Sequence, residues 1–275
     1  MVGFIWRHFK PFLDRLNPAI SQSMFSFRLY WRCRKRYGAF QERVKPLLFG
    51  TERPRVLSGP FKGMAYLDEI GFCGPIVPKW LGSYESELHH VWEEIFADPP
   101  DLVIDVGSAE GYYSVLLGSK LTKSVIYSFD IDPLATRAQR RLVDLHKVGN
   151  VIQRKLCDHT VLNQLLEDED SRGLIICDIE GGEWDLINPV QCRSLLRANC
   201  VIEMHERKGV DFGDDLKAMI ERFARTHSHE FLEVGKRAAE DYGSVASSLT
   251  EADLLTALDE DRNASRGWLV LRKLR

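Results

Sequence analysis

Asp101-Leu-Val-Ile-Asp105-Val-Gly107-Ser-Ala-Glu110-Gly111-Tyr-Tyr113 decides the fold of this chain. Leu102 to Val106 has the composition of a buried parallel strand, apolar except for one acid. Gly107 and Gly111 let the backbone turn sharply with no Cβ in the way, and from Gly111 the pattern becomes helical. A strand, a glycine turn and a helix N-terminus make the nucleotide-binding corner of a doubly wound α/β sheet. The dinucleotide fingerprint Gly-x-Gly-x-x-Gly fits poorly. The small residues here are Gly107, Ala109 and Gly111, with Asp105 two residues ahead of the first. A carboxylate at the strand tip repels a pyrophosphate and suits a cationic or hydroxyl-rich ligand.

Downstream the alternation is regular. Strands are expected near 102–106, 124–130, 151–157, 173–178, 199–204, 229–234 and 267–272. Helical patterns fall near 111–121, 133–147, 159–167, 183–197 and 212–227. Such alternation implies a mostly parallel sheet with helices on both faces. Thr250 and Asp253 cap a further helix through Leu258, inside a less readable segment, 237–265. Upstream, 56–98 is rich in glycine and proline, which suggests short strands and turns before a helical stretch from Tyr84 to Phe96. It precedes the first strand and is placed to cover the mouth of the site. Three parts follow: a basic helical extension over 1–55, a cap over 56–98 and the main domain over 99–275.

The 275 residues are 44% hydrophobic and 28% charged, as in a soluble globular protein. No run of about 18 apolar residues exists to span a membrane, and the first ten residues are too interrupted by charge for a signal-peptide core. The six cysteines (33, 73, 157, 177, 192, 200) lack CxxC spacing and several sit in apolar runs. They read as reduced, buried residues of a cytoplasmic protein, not as a zinc site. Net charge is −3, unevenly spread: 1–55 holds 12 Lys and Arg against three acids, leaving 25 basic and 37 acidic residues beyond it. Apolar residues at 5, 9, 12, 13 and 16 share a helix face that Pro11 and Pro18 interrupt. A basic amphipathic helix can lie on an anionic membrane as a peripheral contact. The plainer expectation for 1–50 is an arm packed on the domain or on a second subunit. Nucleic acid is not an expected partner, because the rest of the chain is acidic.

Acids recur where the strands end. Asp130, 19 residues beyond Gly111, can hold both ribose hydroxyls of a nucleoside. Asp132 is the fallback, or the cap of the next helix before Pro133. Asp158 either accepts from an adenine amino group or caps its own helix. Asp178 and Glu180 point the same way if the fourth strand persists, and Glu203 and His205 repeat that spacing on the fifth. A histidine oriented by a carboxylate is a good general base near neutral pH. Glu183 and Asp185 fit the first turn of a helix.

The glycine-turn spacing resembles motif I of class I S-adenosylmethionine-dependent methyltransferases. Taken with Phe129-Asp130, Cys177-Asp-Ile-Glu-Gly-Gly-Glu183 and Ile202-Glu-Met-His-Glu206, it resembles the FkbM-like branch. Pro60-Phe-Lys-Gly-Met64 and Leu81-Gly-Ser-Tyr-Glu85 look like that family's upstream segment, and the likeness covers roughly 56–235. The resemblance implies a seven-stranded, mostly parallel Rossmann-like sheet whose last strand is antiparallel. It implies O-methylation of a hydroxyl on a sugar, a glycan or another small molecule. By motif it puts S-adenosyl-L-methionine on Asp105, Gly107, Ser108, Glu110, Gly111 and Asp130, with Asp158 the adenine candidate. Asp178, Glu180 and His205 then face the acceptor: His205 as base with either acid orienting it, or all three on a divalent metal. Two other readings stay open. One is a nicotinamide-dependent oxidoreductase, which the glycine spacing disfavours. The other is a non-catalytic module whose basic arm binds a membrane or partner.

Overall fold

A computed structural model describes residues 18–69, 74–262 and 265–274. Among these residues the strands are β1 (Leu102–Val106), β2 (Val125–Phe129), β3 (Val151–Arg154), β4 (Gly173–Cys177), β5 (Asn199–His205), β6 (His227–Glu233) and β7 (Ser265–Lys273). They form one sheet in the order β3-β2-β1-β4-β5-β7-β6. β1 to β5 run parallel. β7 is inserted antiparallel between β5 and β6. Seven strands, mostly parallel, with an antiparallel last strand are what the resemblance implies.

Period two along the strands builds two cores. Leu102, Ile104, Val106, Ile175, Cys177, Ile202 and Met204 fill one face. Val103, Ile126, Ile176 and Val201 fill the other, beneath the cap and the Tyr112–Lys120 helix. Two residues further along each strand on that second face come Asp105, Ser128, Asp178 and Glu203, and then His205 on β5. The face therefore changes from aliphatic to polar at the carboxyl ends of four adjacent strands, and to ionisable on β1, β4 and β5.

Several boundaries differ from the expected ones. The helix expected over 183–197 stops at Leu186. Pro189 disfavours helical geometry at Asn188, and the chain resumes only as a 3₁₀ turn over Arg193–Arg197. β3 ends at Arg154 because the next residues lead into the cap at Asp158. The helix expected over 212–227 ends at Glu221. Among the described residues of the cap, the expected strands reduce to one isolated bridge, Arg55 with Ala65, beside helices Val77–Leu81 and His89–Ala97.

Among the described residues of the extension, one helix runs over Pro18–Phe49. It buries Cys33, Val44 and Phe49 against the domain. Arg36 meets Asp261 at 2.7 Å, Arg43 grips Asp253 with two bonds of 2.8 Å, and Lys45 meets Asp68 at 3.0 Å. Basic residues of the extension thus pair with acids of the body. The face formed by 5, 9, 12, 13 and 16 lies outside the described residues, as does Cys73. Among the described residues no helix is long and apolar enough to cross a membrane.

Gly107 is where the sheet is tightest. Its φ is +87°, and a Cβ there would sit 1.6 Å from the Asp178 carbonyl oxygen. Asp178 N–H donates to Val106 O across the same gap at 2.9 Å. The glycine is therefore required by the junction of β1 with β4, whatever the turn binds. Gly107→Ala is expected to cost about 3 kcal/mol, read as a lowered midpoint in ligand-free urea unfolding. An unchanged midpoint would contradict this packing.

Candidate active site

The glycine turn is held by its neighbours. Gly107 and Ser108 N–H both donate to Phe129 O, at 2.9 and 3.1 Å. Ala109, in left-handed geometry at φ +45°, donates its N–H to Asp130 Oδ2 at 2.8 Å. Asp130 Oδ1 accepts from Asp132 N–H at 2.7 Å. Each oxygen keeps a second lone pair for a ligand. Burial pushes the Asp130 carboxyl up to about 6. Asp132 itself caps the next helix through Leu134 and Ala135 N–H.

The remaining turn residues have structural partners. Asp105 accepts from the Ser114 hydroxyl and N–H, and burial still pushes it to about 7. Its Oδ2 is buried with no hydrogen-bond partner. Ser108 Oγ accepts from Ser128 Oγ at 2.8 Å. Gln139 bonds Ser128 in turn and reaches Ser114 at 2.6 Å, closing a network under the turn. Glu110 turns toward the cap, where it forms a buried ion pair with Lys79 and accepts from Tyr66 Oη at 3.2 Å. Burial works to raise Glu110, but Lys79 overrides it and holds the carboxyl below the ordinary range. Glu110 Oε2 is buried without a hydrogen-bond partner. Asp158 is exposed and bonds Val161 N–H at 2.9 Å, so its observed role is the helix cap.

The second cluster lies one strand over. His205 Nδ1 is 3.1 Å from Glu183 Oε1. Glu183 has no exposed surface, and its carboxylate also accepts from Ile179 and Gly181 N–H, both at 2.9 Å. That acceptor fixes the Nδ1–H tautomer and aims Nε2 at three acids. Nε2 is 3.9 Å from Asp178, 3.5 Å from Glu180 and 3.6 Å from Glu203. Burial works to lower His205, but the Glu183 bond and the charges of Glu203, Glu183 and Glu180 raise it overall. Asp178 keeps 31% of its side chain open, yet it is pushed well up by burial and by Glu203, with which it shares a hydrogen bond. Glu180 does not continue β4, which ends at Cys177. It sits in a left-handed turn at φ +56° with 78% of its side chain exposed. The two-residue rule therefore does not apply to Glu180, although the turn still brings it to His205.

Sequence reasoning missed what the cap and the 237–262 segment contribute. Glu85, left-handed at φ +48°, is buried and accepts from Tyr113 Oη; burial pushes it to about 8. Arg262 bonds Glu203 Oε1 and, at 2.6 Å, Glu87. Arg237 holds Glu260 at 2.9 Å and also Glu87. The one available signal was Glu85 within the Leu81-Gly-Ser-Tyr-Glu85 motif. Glu183 is legible in the sequence as the last acid of the Cys177–Glu183 motif and as a first-turn helix acid, but not as the partner of His205.

No family model matches the chain, and no curated protein matches it. The likeness to the FkbM-like family therefore rests on the motifs alone. Solved structures do match. One is an O-methyltransferase from Bacillus cereus in complex with SAH, at 11% identity and TM-score 0.46, covering 67% of this chain and 79% of that one. Another is the O-methyltransferase TomG from Streptomyces achromogenes in complex with SAM, at 11% and 0.46, covering 69% and 79%. A third is a precorrin-6y C5,15-methyltransferase from Geobacter metallireducens, at 14% and 0.44, covering 67% and 89%. At these identities and scores the matches say nothing of what this chain does.

Removing Lys79 strands the Glu110 charge in the interior. Lys79→Met is expected to cost roughly 3–5 kcal/mol, and Glu110→Gln added to it should restore part of that loss. Chemical denaturation of the two variants checks this; equal midpoints for Lys79→Met and the parent would refute the ion pair.

Proposed function

We propose that the chain is an S-adenosylmethionine-dependent methyltransferase acting on a hydroxyl oxygen. One observation carries the reading: buried carboxylates outnumber their cations at the carboxyl ends of β1, β2, β4 and β5. Asp105 Oδ2 and Glu110 Oε2 are buried without hydrogen-bond partners on either side of the glycine turn. Buried acceptors in that state are costly unless a donor or cation satisfies them. A ligand carrying an ammonium, a sulfonium and two ribose hydroxyls suits this set. Asp130 would take the hydroxyls on its spare lone pairs, and Asp105 and Glu110 are available to the amino-acid end. The same charges would repel a dinucleotide pyrophosphate, which counts against the nicotinamide reading.

The donor supplies a methyl group on an already reactive sulfonium, so the protein's main task is placement. His205 supplies the base. With Nδ1–H committed to Glu183, its Nε2 lone pair can accept the proton leaving an acceptor hydroxyl. Asp178 and Glu203 beside it stabilise the imidazolium formed. The acceptor is proposed to be a sugar or another small hydroxyl-bearing molecule, a choice that rests on the motif resemblance.

Calorimetry with S-adenosylhomocysteine tests the reading directly, and a well-folded chain that releases no heat on mixing would end it. Asp130→Ala is expected to weaken binding about 100-fold, from the loss of two charge-assisted bonds of roughly 1.5 kcal/mol each. Once a substrate is in hand, His205→Ala should lower kcat by about 10²–10⁴-fold while leaving S-adenosylhomocysteine affinity intact. Unchanged turnover would remove the base assignment.

A further inference from the structure

We propose that Asp178, Glu203 and His205 form a binding site for a divalent cation of the Mg²⁺/Mn²⁺ type. One donor atom from each residue lies within 4.8 Å of the other two. The His205 Nε2 distances are 3.6 Å to Glu203 Oε2 and 3.9 Å to Asp178 Oδ1. Adjacent ligands of an octahedral ion with bonds of about 2.1 Å stand about 3 Å apart. Each of these two pairs therefore needs to close by less than about 1 Å, and the third starts within 4.8 Å.

Two further observations distinguish this cluster from a chance grouping of acids. The first is the imidazole. Its Nδ1 side is committed to the fully buried Glu183, which two backbone N–H groups hold in turn. A carboxylate fixing the far nitrogen of a histidine is the usual outer shell of a metal ligand. The second is Asp178 Oδ1, which is buried, has no hydrogen-bond partner and faces Nε2. Glu203 and His205 are both buried, so water does not dilute the field at the donors.

The nearest opposing charge is Arg262, which bonds Glu203 through Oε1 and leaves Oε2 toward His205. Its guanidinium is shared with Glu87 and lies 3.8 Å from Glu260. Two carboxylates with one imidazole favour Mn²⁺ over Mg²⁺, since nitrogen ligands suit the softer ion. Glu180 is not in the set. It is near Nε2 but exposed, so Glu203 takes the place the sequence assigned to Glu180.

Binding itself does not depend on the methyl-transfer reading; with an ion on Nε2 that lone pair would no longer serve as the base, and the ion would instead hold and acidify the acceptor hydroxyl. The full chain, stripped with EDTA, is titrated with MnCl₂ and free Mn²⁺ is followed by electron paramagnetic resonance. One Mn²⁺ per chain is expected. Asp178→Asn and His205→Gln should each weaken it by at least about tenfold, and Glu180→Gln should leave it unchanged. In the unsubstituted chain, substoichiometric Mn²⁺ should broaden the His205 ring resonances first, a readout that needs no variant to fold. No uptake up to about 1 mM, or equal affinity in ligand variants that melt like the parent, overturns the site. S-adenosylhomocysteine calorimetry on the same samples separates the two ideas. Heat without Mn²⁺ uptake sinks this inference alone. Mn²⁺ uptake without heat leaves it standing and sinks the methyl-transfer reading.

Discussion

Buried negative charge at one end of the sheet is the constraint around which the rest of this molecule is arranged. Asp105, Asp178 and Glu203 sit where the apolar face of each strand runs out, and each is excluded from much of the solvent. Isolated carboxylates in such a place are costly, and they persist because cations and backbone donors are brought to them. The compensating groups come from far along the chain. Lys79 reaches Glu110 from the cap, and Arg262 reaches Glu203 and Glu87 from the segment before β7. Arg237 ties Glu87 to Glu260. The cap and the 237–262 segment are thus pinned by the same charges that would receive a ligand, so binding and closure of the mouth share one set of contacts.

Backbone geometry follows the same logic. Of the five described non-glycine residues in the left-handed region, Ala109, Glu180 and Glu85 border the cluster, while Lys147 and Asp261 do not belong to it. That conformation is sparsely populated for side-chain-bearing residues and is kept where surrounding contacts over-determine it. Ala109 is held by Asp130, and Glu85 by Glu260 and Tyr113. Part of the backbone strain thus lies where the site's geometry has to be rigid.

The sheet was legible because each strand carries period-two or fully apolar patterning and each crossover a helical one. Asp130, Asp178 and His205 could be placed from sequence because strand tips are local features. Glu85 and Arg262 could not. Their neighbours in space lie on β5 and in the helix after the glycine turn, tens to more than a hundred residues away, and no local pattern encodes that. The helix expected to run to residue 197 failed on a readable signal, Pro189, that the apolar spacing outweighed. The charge asymmetry of the N-terminal extension found part of its explanation in pairs such as Arg36 with Asp261 and Arg43 with Asp253. Surface pairs of this kind are individually weak, but they give the long helix a register on the domain.

The insertion of β7 between β5 and β6 has a consequence for biosynthesis. β6 ends at Glu233 and β7 begins at Ser265. During translation β6 emerges from the ribosome well before the neighbour that must bond both its edge and that of β5. Until then the nascent sheet ends at β5, with an unsatisfied edge open to wrong pairings. Arg262 lies just ahead of β7, so the counter-charge for Glu203 arrives in the same late step. The last strand of the sheet and the counter-charge of Glu203 therefore come in together.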